Sequence, residues 1–317
     1  MFICVSPNPA IDKRLTVPSL LRGQVNRAGT VQNFPGGKSV HVAMVLRTLG
    51  GEPHWVGPYG GATGKDLLAG LSSLGIQATA CPTHHPTRTN LEIVEDDATV
   101  TEILEPGSPL SPRESEEFED ACRSLFKESS EKASVIFSGS IPANAVPSLY
   151  ATLVASAREF GCKTFLDASG EPLRLTLAEK PFFVKPNQQE AVQLLGSPVS
   201  SLSESVCALH NLMSLGSQSA ALSLGSQGLL FCPDAAAPAF FAPALPLQPR
   251  STVGCGDSAM AGFVFGITSG YSPQDTLRLA AACAAANCLA DSPGAARLKD
   301  IQEFQRQISV QTLASGP

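Results

Sequence analysis

The chain has few charged residues and no stretch in which basic residues accumulate. Asp, Glu, Lys and Arg make up 16% of the 317 residues, and 22 basic against 28 acidic residues give a net charge of -6. No run of Lys and Arg is longer than Lys13-Arg14, whereas a nucleic-acid-binding surface needs basic residues clustered on one face. The composition therefore argues against a nucleic acid as partner, and any phosphate that binds must be held by a few local groups.

Long apolar segments and paired cysteine motifs are missing as well. The most apolar stretch, residues 279–290, is shorter than the ~20 residues of a membrane helix. Residues 1–6 lack the basic segment of a secretory signal peptide. The nine cysteines include no C-x-x-C pair, which argues against a disulfide framework and a zinc site. We expect a soluble, cytoplasmic protein that does not bind a membrane.

Short β-rich segments alternate with helical segments along most of the chain. The strand candidates are continuous apolar runs, and the helix candidates carry apolar residues three and four positions apart. This alternation is typical of a mostly parallel sheet covered by helices on both faces, so the predicted fold class is α/β, doubly wound. The predicted strands are 1–6, 134–137, 163–167, 181–184 and 219–223, and the predicted helices are 112–130, 143–160, 188–196 and 202–215.

Two stretches, residues 13–34 and 86–105, depart from this pattern because β-branched residues alternate with polar ones and no helix intervenes. They predict a small separate β-sheet, built from two insertions into an α/β domain of residues 1–12, 35–85 and 106–317. A sheet placed in this way would form a β lid over the carboxyl edge of the large sheet, where open α/β sheets bind ligands. A pair of surface hairpins without a function is the alternative.

The segment Gly36-Gly37-Lys38-Ser39 is similar to the end of a phosphate-binding P-loop, but it fails the spacing of that motif. The first glycine of a P-loop would stand at position 32, which is Gln32. What remains is a glycine pair and a lysine before a helical pattern, where free backbone amides and a positive charge attract an anion. A glycine turn with only a structural role is the alternative.

The segment Ser251-Thr-Val-Gly-Cys-Gly-Asp257 is rich in glycine and polar residues. Its glycine spacing resembles a dinucleotide-binding motif, but Gln248-Pro-Arg250 precedes it instead of an apolar strand. We therefore predict an anion hole, in which backbone amides at a helix start face a charge that develops during a reaction. Asp257, in the first turn of that helix, would accept a proton from a substrate hydroxyl. An aspartate that caps the helix is the alternative.

Four further segments carry polar groups that suit a phosphorylated ligand. Asn187 and Glu190, three positions apart after a predicted strand, suit either a hydrated Mg2+ or a helix capping box. The turn Ser223-Leu-Gly-Ser-Gln-Gly228 suits either a nucleotide or a hairpin into the next strand. Asp12, after the first strand, suits ligand hydroxyls, and Arg88, in the predicted lid, suits an anionic group. A turn residue and a solvated charge are the respective alternatives.

Taken in order, these segments resemble the PfkB (ribokinase-like) carbohydrate kinase family, and most closely its phosphosugar branch. That branch contains 1-phosphofructokinase, tagatose-6-phosphate kinase and the minor 6-phosphofructokinases. The resemblance covers nearly the whole chain and rests on nine ordered matches: Asn8-Pro-Ala-Ile-Asp12, Gly23-Gln-Val-Asn-Arg27, Gly36-Gly-Lys38, Thr87-Arg-Thr-Asn90, Ser138-Gly-Ser-Ile-Pro142, Leu166-Asp-Ala-Ser-Gly170, Lys185-Pro-Asn187, Ser223-Leu-Gly225 and Ser251-Thr-Val-Gly-Cys-Gly-Asp257.

The resemblance implies ATP-dependent phosphorylation with Mg2+, catalysed by a homodimer that pairs through the lid. Asp257 would deprotonate the attacking hydroxyl, while the amides of Gly254, Cys255 and Gly256 would stabilise the transferred phosphoryl group.

The resemblance also implies which residues bind each ligand. Lys38 and Arg88 would hold a phosphate already on the substrate, and Arg27 would reach it from the neighbouring lid. The other implied substrate-binding residues are Asp12, Gly36, Gly37, His41, Asn90 and Ser138; the nucleotide-binding residues are Lys185, Asn187, Ser223, Gly225, Gly228, Thr252 and Asn287; and the metal-side residues are Asn187 and Glu190.

The chain departs from the family at three positions. Ser39 and His41 replace a glycine and a sugar-contacting asparagine in the motif Gly-Gly-Lys-Gly-x-Asn-x-Ala, and Cys255 stands where alanine is usual. A histidine gains charge near pH ~6.5, which bears on substrate choice and pH dependence. A deprotonated thiol at Cys255 would repel phosphate and react with oxidants.

Because both Lys38 and Arg88 are present, the predicted reaction is phosphorylation of a ketohexose phosphate to a bisphosphate. The candidate substrates are fructose 1-phosphate, fructose 6-phosphate and tagatose 6-phosphate. A kinase of an unphosphorylated sugar or nucleoside and a catalytically silent sugar-phosphate sensor are the alternatives.

Overall fold

The computed structural model describes residues 1–129, 133–142 and 144–313. The strands are β1 Phe2–Val5, β2 Ala10–Val17, β3 Thr30–Gly36, β4 Pro53–Tyr59, β5 Gln77–Pro82, β6 Arg88–Glu95, β7 Val100–Leu104, β8 Ser134–Ser138, β9 Lys163–Asp167, β10 Phe183–Val184, β11 Ser219–Ser223, β12 Gly228–Cys232, β13 Phe240–Pro243 and β14 Gln311–Thr312. The helices are α1 Lys38–Thr48, α2 Gly61–Ser73, α3 Pro112–Ser129, α4 Leu149–Glu159, α5 Gly170–Leu177, α6 Gln188–Leu195, α7 Leu202–Ser214, α8 Cys255–Thr268, α9 Pro273–Cys288 and α10 Leu298–Gln307.

The larger sheet has the order β14-β13-β12-β11-β10-β9-β8-β1-β4-β5. Its strands pair in parallel from β11 to β5, and only β11 to β14 pair antiparallel, at one edge. Ile3 and Val5 pack into one apolar core and Cys4, between them, packs into a second. Because both faces are buried, the strands are continuous apolar runs. The doubly wound α/β prediction is confirmed.

Two predicted elements are shorter than expected. The predicted strand 181–184 is reduced to Phe183–Val184, because Pro181 has no amide hydrogen for the ladder. The predicted helix 143–160 begins only at Leu149, since the residue before Pro147 is restricted to extended backbone. Residues 130 and 143, at the ends of two predicted helices, and residues 314–317 of the predicted α/β domain lie outside the described residues.

The smaller sheet confirms the predicted separate sheet and has the order β3-β2-β6-β7. It begins at Ala10, before the predicted boundary, because a short segment with two prolines ends β1 and lets β2 start immediately after it. Asp12 therefore lies inside β2, opposite Asn90 of β6, and its predicted place at the carboxyl end of the first strand is wrong. Among the described helices none is both long and apolar enough to cross a membrane.

Candidate active site

A cavity of about 990 Å³ is lined by residues of both sheets and by the start of α8. Ser138, Asp167 and Ser223 reach it from the carboxyl ends of β8, β9 and β11. Asp12 and Asn90 reach it from the small sheet. Parallel strands bring their carboxyl ends to one edge, where ligands of such sheets bind, and the cavity lies at that edge.

Most residues singled out from the sequence line this one cavity, although they come from distant parts of the chain. They are Asp12, Gly37, Lys38, His41, Arg88, Asn90, Ser138, Lys185, Asn187, Glu190, Ser223, Gly225, Gly228, Thr252, Gly254, Cys255, Gly256 and Asp257.

Two predicted binding residues support the wall from behind instead of lining it. A side chain at Gly36 would place its Cβ 2.2 Å from the Asp12 Cγ, so the glycine makes room for that carboxylate. Asn287 donates to the Val253 carbonyl oxygen at 2.7 Å and accepts from the Gly294 amide at 2.8 Å. The amide group of Asn287 therefore holds the segment before α8 in place, and its contact with the nucleotide stays a prediction.

The anion-hole segment has the geometry expected of a helix start. Gly254 precedes α8 with φ +79, and a Cβ there would lie 2.9 Å from the Pro293 Cβ. The first amides of a helix have no acceptor within it, although the Cys255 amide donates to the Thr252 carbonyl oxygen at 3.2 Å. Asp257 is the third residue of α8 and only 5% exposed. Since Gly254 is the cap, Asp257 does not have the capping role considered above.

His41 lies between the carboxylates of Asp12 and Asp257. Its Nδ1 is 2.8 Å from the Asp257 Oδ2, and its Nε2 is 2.8 Å from the Asp12 Oδ2. The other Asp12 oxygen, Oδ1, accepts from the Asn90 side-chain amide at 2.9 Å. Both ring nitrogens are thus hydrogen-bonded within the protein, and the sugar contact that the resemblance assigned to His41 stays a prediction.

The opposite charges of His41 and its two carboxylate neighbours stabilise one another. Burial alone would lower the pKa of His41, but hydrogen bonds to Asp12 and Asp257 and the charges of both carboxylates raise it to about 10. Burial alone would raise the pKa of the Asp12 carboxyl, but the hydrogen bond and charge of His41 hold it below its usual range. The expected titration of His41 near pH ~6.5 is therefore displaced well out of the neutral range.

A second buried carboxylate, Asp167, pairs with two lysines. Its Oδ1 lies 3.3 Å from the Lys38 Nζ and its Oδ2 lies 2.9 Å from the Lys185 Nζ. The charge of Asp167 raises the pKa of Lys38, so this side chain stays cationic. The Lys38 side chain is 42% exposed whereas that of Lys185 is 3% exposed, so Lys38 is the lysine with room for an additional anion.

Arg88 is held in the cavity wall and is not a solvated charge. Its Nη1 donates to the Glu105 carbonyl oxygen at 2.6 Å and its Nη2 to the Asn8 carbonyl oxygen at 3.1 Å. Its Nε is buried and has no hydrogen-bond partner among the residues that the structure describes. Burial lowers the pKa of Arg88. A buried donor without an acceptor is costly, and an anionic ligand group would supply the missing acceptor.

On the predicted nucleotide side the structure shows the capping box and the hairpin that the sequence allowed, and the roles in binding Mg2+ and nucleotide stay predictions. Asn187 and Glu190 form a capping box at the start of α6, through the Asn187 Oδ1 and the Glu190 Oε2. The turn from Ser223 to Gly228 joins β11 and β12 as an antiparallel hairpin, and its residues also line the cavity.

Two departures from the family motif have structural explanations. The buried Ser39 hydroxyl donates to the carbonyl oxygens of Val5 and Ser138, the latter at 2.9 Å, and so fastens α1 to β1 and β8. The Cys255 Sγ lies 3.2 Å from the Cys288 Sγ. The hydrogen bond with Cys288, together with burial, raises the pKa of Cys255 far above its usual range. The repulsion expected from a deprotonated Cys255 therefore does not arise at neutral pH.

Sequence reasoning missed the polar link between the small sheet and the anion-hole segment, as well as Asp167. Arg14 and Glu92 form a buried two-point ion pair at 2.8 and 2.9 Å, and the Ser251 hydroxyl donates to Glu92 at 3.0 Å. The available indication was that polar side chains at 12 and 14 and at 90 and 92 alternate along adjacent strands. For Asp167, the available indication was its position at the end of a predicted strand.

Comparison with known proteins gives a consistent picture. Residues 7–299 match the model of the "pfkB family carbohydrate kinase". The 1-phosphofructokinase of Haemophilus influenzae is 31% identical over 291 residues, which are 89% of each chain. The 1-phosphofructokinase of Borreliella burgdorferi is 29% identical over 99% of each chain. The isozyme 2 ATP-dependent 6-phosphofructokinase of Mycobacterium tuberculosis is 29% identical over 95% of this chain and 88% of its own.

Solved structures agree with the fold. A putative phosphofructokinase from Staphylococcus aureus has a TM-score of 0.83 at 28% identity and covers 99% of both chains. Phosphofructokinase-2 from Escherichia coli, in complex with substrates and products, has a TM-score of 0.89 at 25% identity and covers 97% of this chain and 98% of its own.

Proposed function

Because the chain belongs to the pfkB family of carbohydrate kinases, we propose that it transfers the γ-phosphoryl group of ATP to a hydroxyl of fructose 1-phosphate. ATP-dependent phosphorylation of a fructose phosphate is the activity that its relatives support, and several of them are named 1-phosphofructokinase. The observation that carries the choice of a phosphorylated sugar is that Lys38 and Arg88 line the same cavity as Asp12. A site for a sugar phosphate needs cations that bind the phosphate and a carboxylate that binds the sugar hydroxyls.

In the proposed mechanism Asp257 is the general base. As the hydroxyl oxygen of the sugar attacks the γ-phosphorus, its proton passes to the Asp257 carboxylate and the bond to the β-phosphate oxygen of ATP breaks. Phosphoryl transfer depends mostly on positioning and on stabilising charge. The amides at the start of α8, from Gly254 to Gly256, supply that stabilisation because they face the developing negative charge with the positive end of the helix.

The proposed phosphate clamp consists of Lys38 and Arg88. Lys38 is half-exposed, although it pairs with Asp167, so its ammonium can also contact a ligand phosphate. Arg88 is fixed by two backbone carbonyl groups, so little side-chain entropy is lost when it binds a phosphate. Two placed cations suffice for one phosphate, which explains how an acidic chain binds phosphorylated ligands.

Mg2+ fits the donor set on the nucleotide side. The capping box uses only one Glu190 oxygen, Oε2, and Glu190 lines the cavity. Mg2+ keeps several waters and needs one or two carboxylates together with substrate phosphates. We therefore assign Glu190, through water, and Asn187 to the metal side, where Mg2+ would neutralise phosphate charge.

An assay of ADP release with a panel of acceptors tests the proposed substrate. The panel contains fructose 1-phosphate, fructose 6-phosphate, tagatose 6-phosphate, free fructose and a nucleoside. We expect the highest kcat/KM with fructose 1-phosphate. Preference for an unphosphorylated acceptor would contradict the phosphate clamp, and no turnover with any acceptor would favour a sensor.

Arg88→Ala is expected to lower kcat/KM for the phosphorylated sugar about 10–100-fold, since a charged hydrogen bond contributes about 1.5–3 kcal/mol. The loss should appear mainly in KM. The measurement compares the kcat/KM of the variant and of the wild type, each with phosphorylated and with free fructose. Arg113→Ala, which removes an exposed arginine paired with Glu117, is the control and should change neither. An equal loss on both sugars would mean that Arg88 only supports the fold.

We also propose a homodimer that pairs through the small sheet. The apolar side chains of Leu21, Val25, Val31, Ile103 and Leu104 are exposed on this sheet and its loops. Arg27 lies in the exposed segment between β2 and β3 and does not line the cavity of its own chain, so its proposed contact is with the partner's substrate. The mass in solution tests the proposal, and Val31→Asp should shift the protein to monomers.

A further inference from the structure

The imidazole of His41 bridges the carboxylates of Asp12 and Asp257. The His41 side chain is 6% exposed and comes from α1, whereas Asp12 comes from β2 and Asp257 from α8. The Gly294 loop packs against the His41 backbone, since a Cβ on Gly294 would lie 2.9 Å from the His41 Cα. The ring therefore has a fixed position between the two carboxylates.

The hydrogen bonds of the ring indicate its protonation. A neutral imidazole carries one N–H and one acceptor nitrogen, whereas an imidazolium carries two N–H groups. Each ring nitrogen of His41 lies 2.8 Å from a carboxylate oxygen, and an ionised carboxylate only accepts hydrogen bonds. When both carboxylates are ionised, only the imidazolium satisfies both contacts. Its charge also reduces the repulsion between two buried carboxylates.

We propose that His41 is a protonated positioning residue that links the sugar-binding carboxylate Asp12 to the base Asp257 and orients that base. The proposal rests on the proposed function for the role of Asp257, but the bridge itself does not. His41 holds the Asp257 Oδ2, so the other oxygen, Oδ1, is the one left to accept the hydroxyl proton. As the O–H bond breaks and the O–P bond forms, the bond between the γ-phosphorus and the β-phosphate oxygen breaks and ADP leaves. The hydroxyl proton moves to Oδ1, and His41 keeps both of its own.

The charges around His41 explain the pH range in which the bridge persists. Hydrogen bonds and charges outweigh burial and raise the pKa of His41 to about 10. A raised pKa means that the stabilisation is complete below the ordinary value of ~6.5 and is lost as the pH rises through about 10. Besides Asp12 of β2 and Asp257 of α8, the charge of Glu102 of β7 acts on the ring. The charges of Arg88 on β6 and Lys38 on α1 act on the carboxylates of Asp12 and Asp257, respectively.

Nitrogen-15 NMR of the wild-type chain tests the bridge without any substrate. His41→Asn identifies the signal by its disappearance, and His54, which is half-buried and hydrogen-bonded to Thr79, is the reference histidine. We expect His41 to carry two N–H groups at about pH 8 and to titrate near 10. Titration of His41 near ~6.5 would overturn the proposal, whatever the enzyme's substrate is.

Kinetics test the positioning role. His41→Asn should lower kcat about 10–100-fold, because a displaced base loses its alignment with the hydroxyl, while the KM for the sugar changes less than about threefold. The acid limb of the kcat/KM profile should move to higher pH by about 1–3 units, since a cation beside the base is removed. His54→Asn should change none of these values.

The outcomes separate the two proposals. A higher KM with an unchanged kcat and an unmoved acid limb would make His41 a sugar ligand and overturn the positioning role. A wild-type enzyme without activity on fructose phosphates would contradict the proposed function. The NMR titration would still test the protonated bridge in that case. The kinetic comparison would then use the acceptor that the panel identifies. Thermal unfolding of both variants verifies that each is folded.

Discussion

Asp257→Asn is expected to lower kcat by about 10²–10⁴-fold, the usual contribution of a general base, while both substrates still bind. Asparagine has nearly the same size and still reaches His41, but its amide accepts no proton from the attacking hydroxyl. Asp257 is 5% exposed, so water replaces the missing base poorly. The measurement is kcat and KM with ATP and the fructose phosphate, together with the binding constant of the nucleotide by calorimetry.

Two controls accompany this prediction. Asp66→Asn, at an exposed position on α2, removes one carboxylate that does not line the cavity and should leave kcat unchanged. Thermal unfolding of Asp257→Asn should remain cooperative, because the neighbouring packing is kept. Near-normal turnover in the variant would remove Asp257 from the role of base and leave it only as a partner of His41.

The fold was largely predictable because its causes are local. Ile3, Cys4 and Val5 point alternately into two cores, so a run of apolar residues predicts a strand buried on both faces. The separate sheet was predictable from the alternation of polar and apolar residues without a helix. The first residues of β2 were not predictable. Asp12 is polar, and Asn90, its partner on the neighbouring strand β6, lies 78 residues further along the chain.

The site was predictable only to the level of residue types. Glycines before a helix and an aspartate in its first turn predict an anion hole and a base. The same residues also predict an aspartate that caps the helix. The position of Gly254 as the cap decides between the two. Asn287 has the same residue type as a ligand-binding amide, yet in the structure it contacts two backbone groups and the Cys255 Sγ. The His41 bridge depends on three elements meeting at one point, and no spacing in the sequence encodes that meeting.

Gly254→Ala is expected to lower kcat about 100–1,000-fold, the usual cost of losing a donor that stabilises a developing anion. Gly254 has φ +79, and a Cβ there would lie 2.9 Å from the Pro293 Cβ and 3.1 Å from its Cα. The backbone of the Pro293 loop cannot retreat freely, because the Asn287 side chain holds the next residue, Gly294, by its amide. The start of α8 must therefore shift, and its amides with it.

Gly50→Ala separates this displacement from backbone strain. Gly50 has φ +89, and no atom lies within 4 Å of its Cβ position, so alanine there meets the strain of left-handed backbone, about 1–2 kcal/mol, without a collision. Both variants should lose stability in urea unfolding, Gly254→Ala more than Gly50→Ala because of its collision, but only Gly254→Ala should lose kcat. If the two variants kept equal turnover, the amides of α8 would not be stabilising the transferred phosphoryl group, and catalysis would rest on Asp257, the cations and the metal alone.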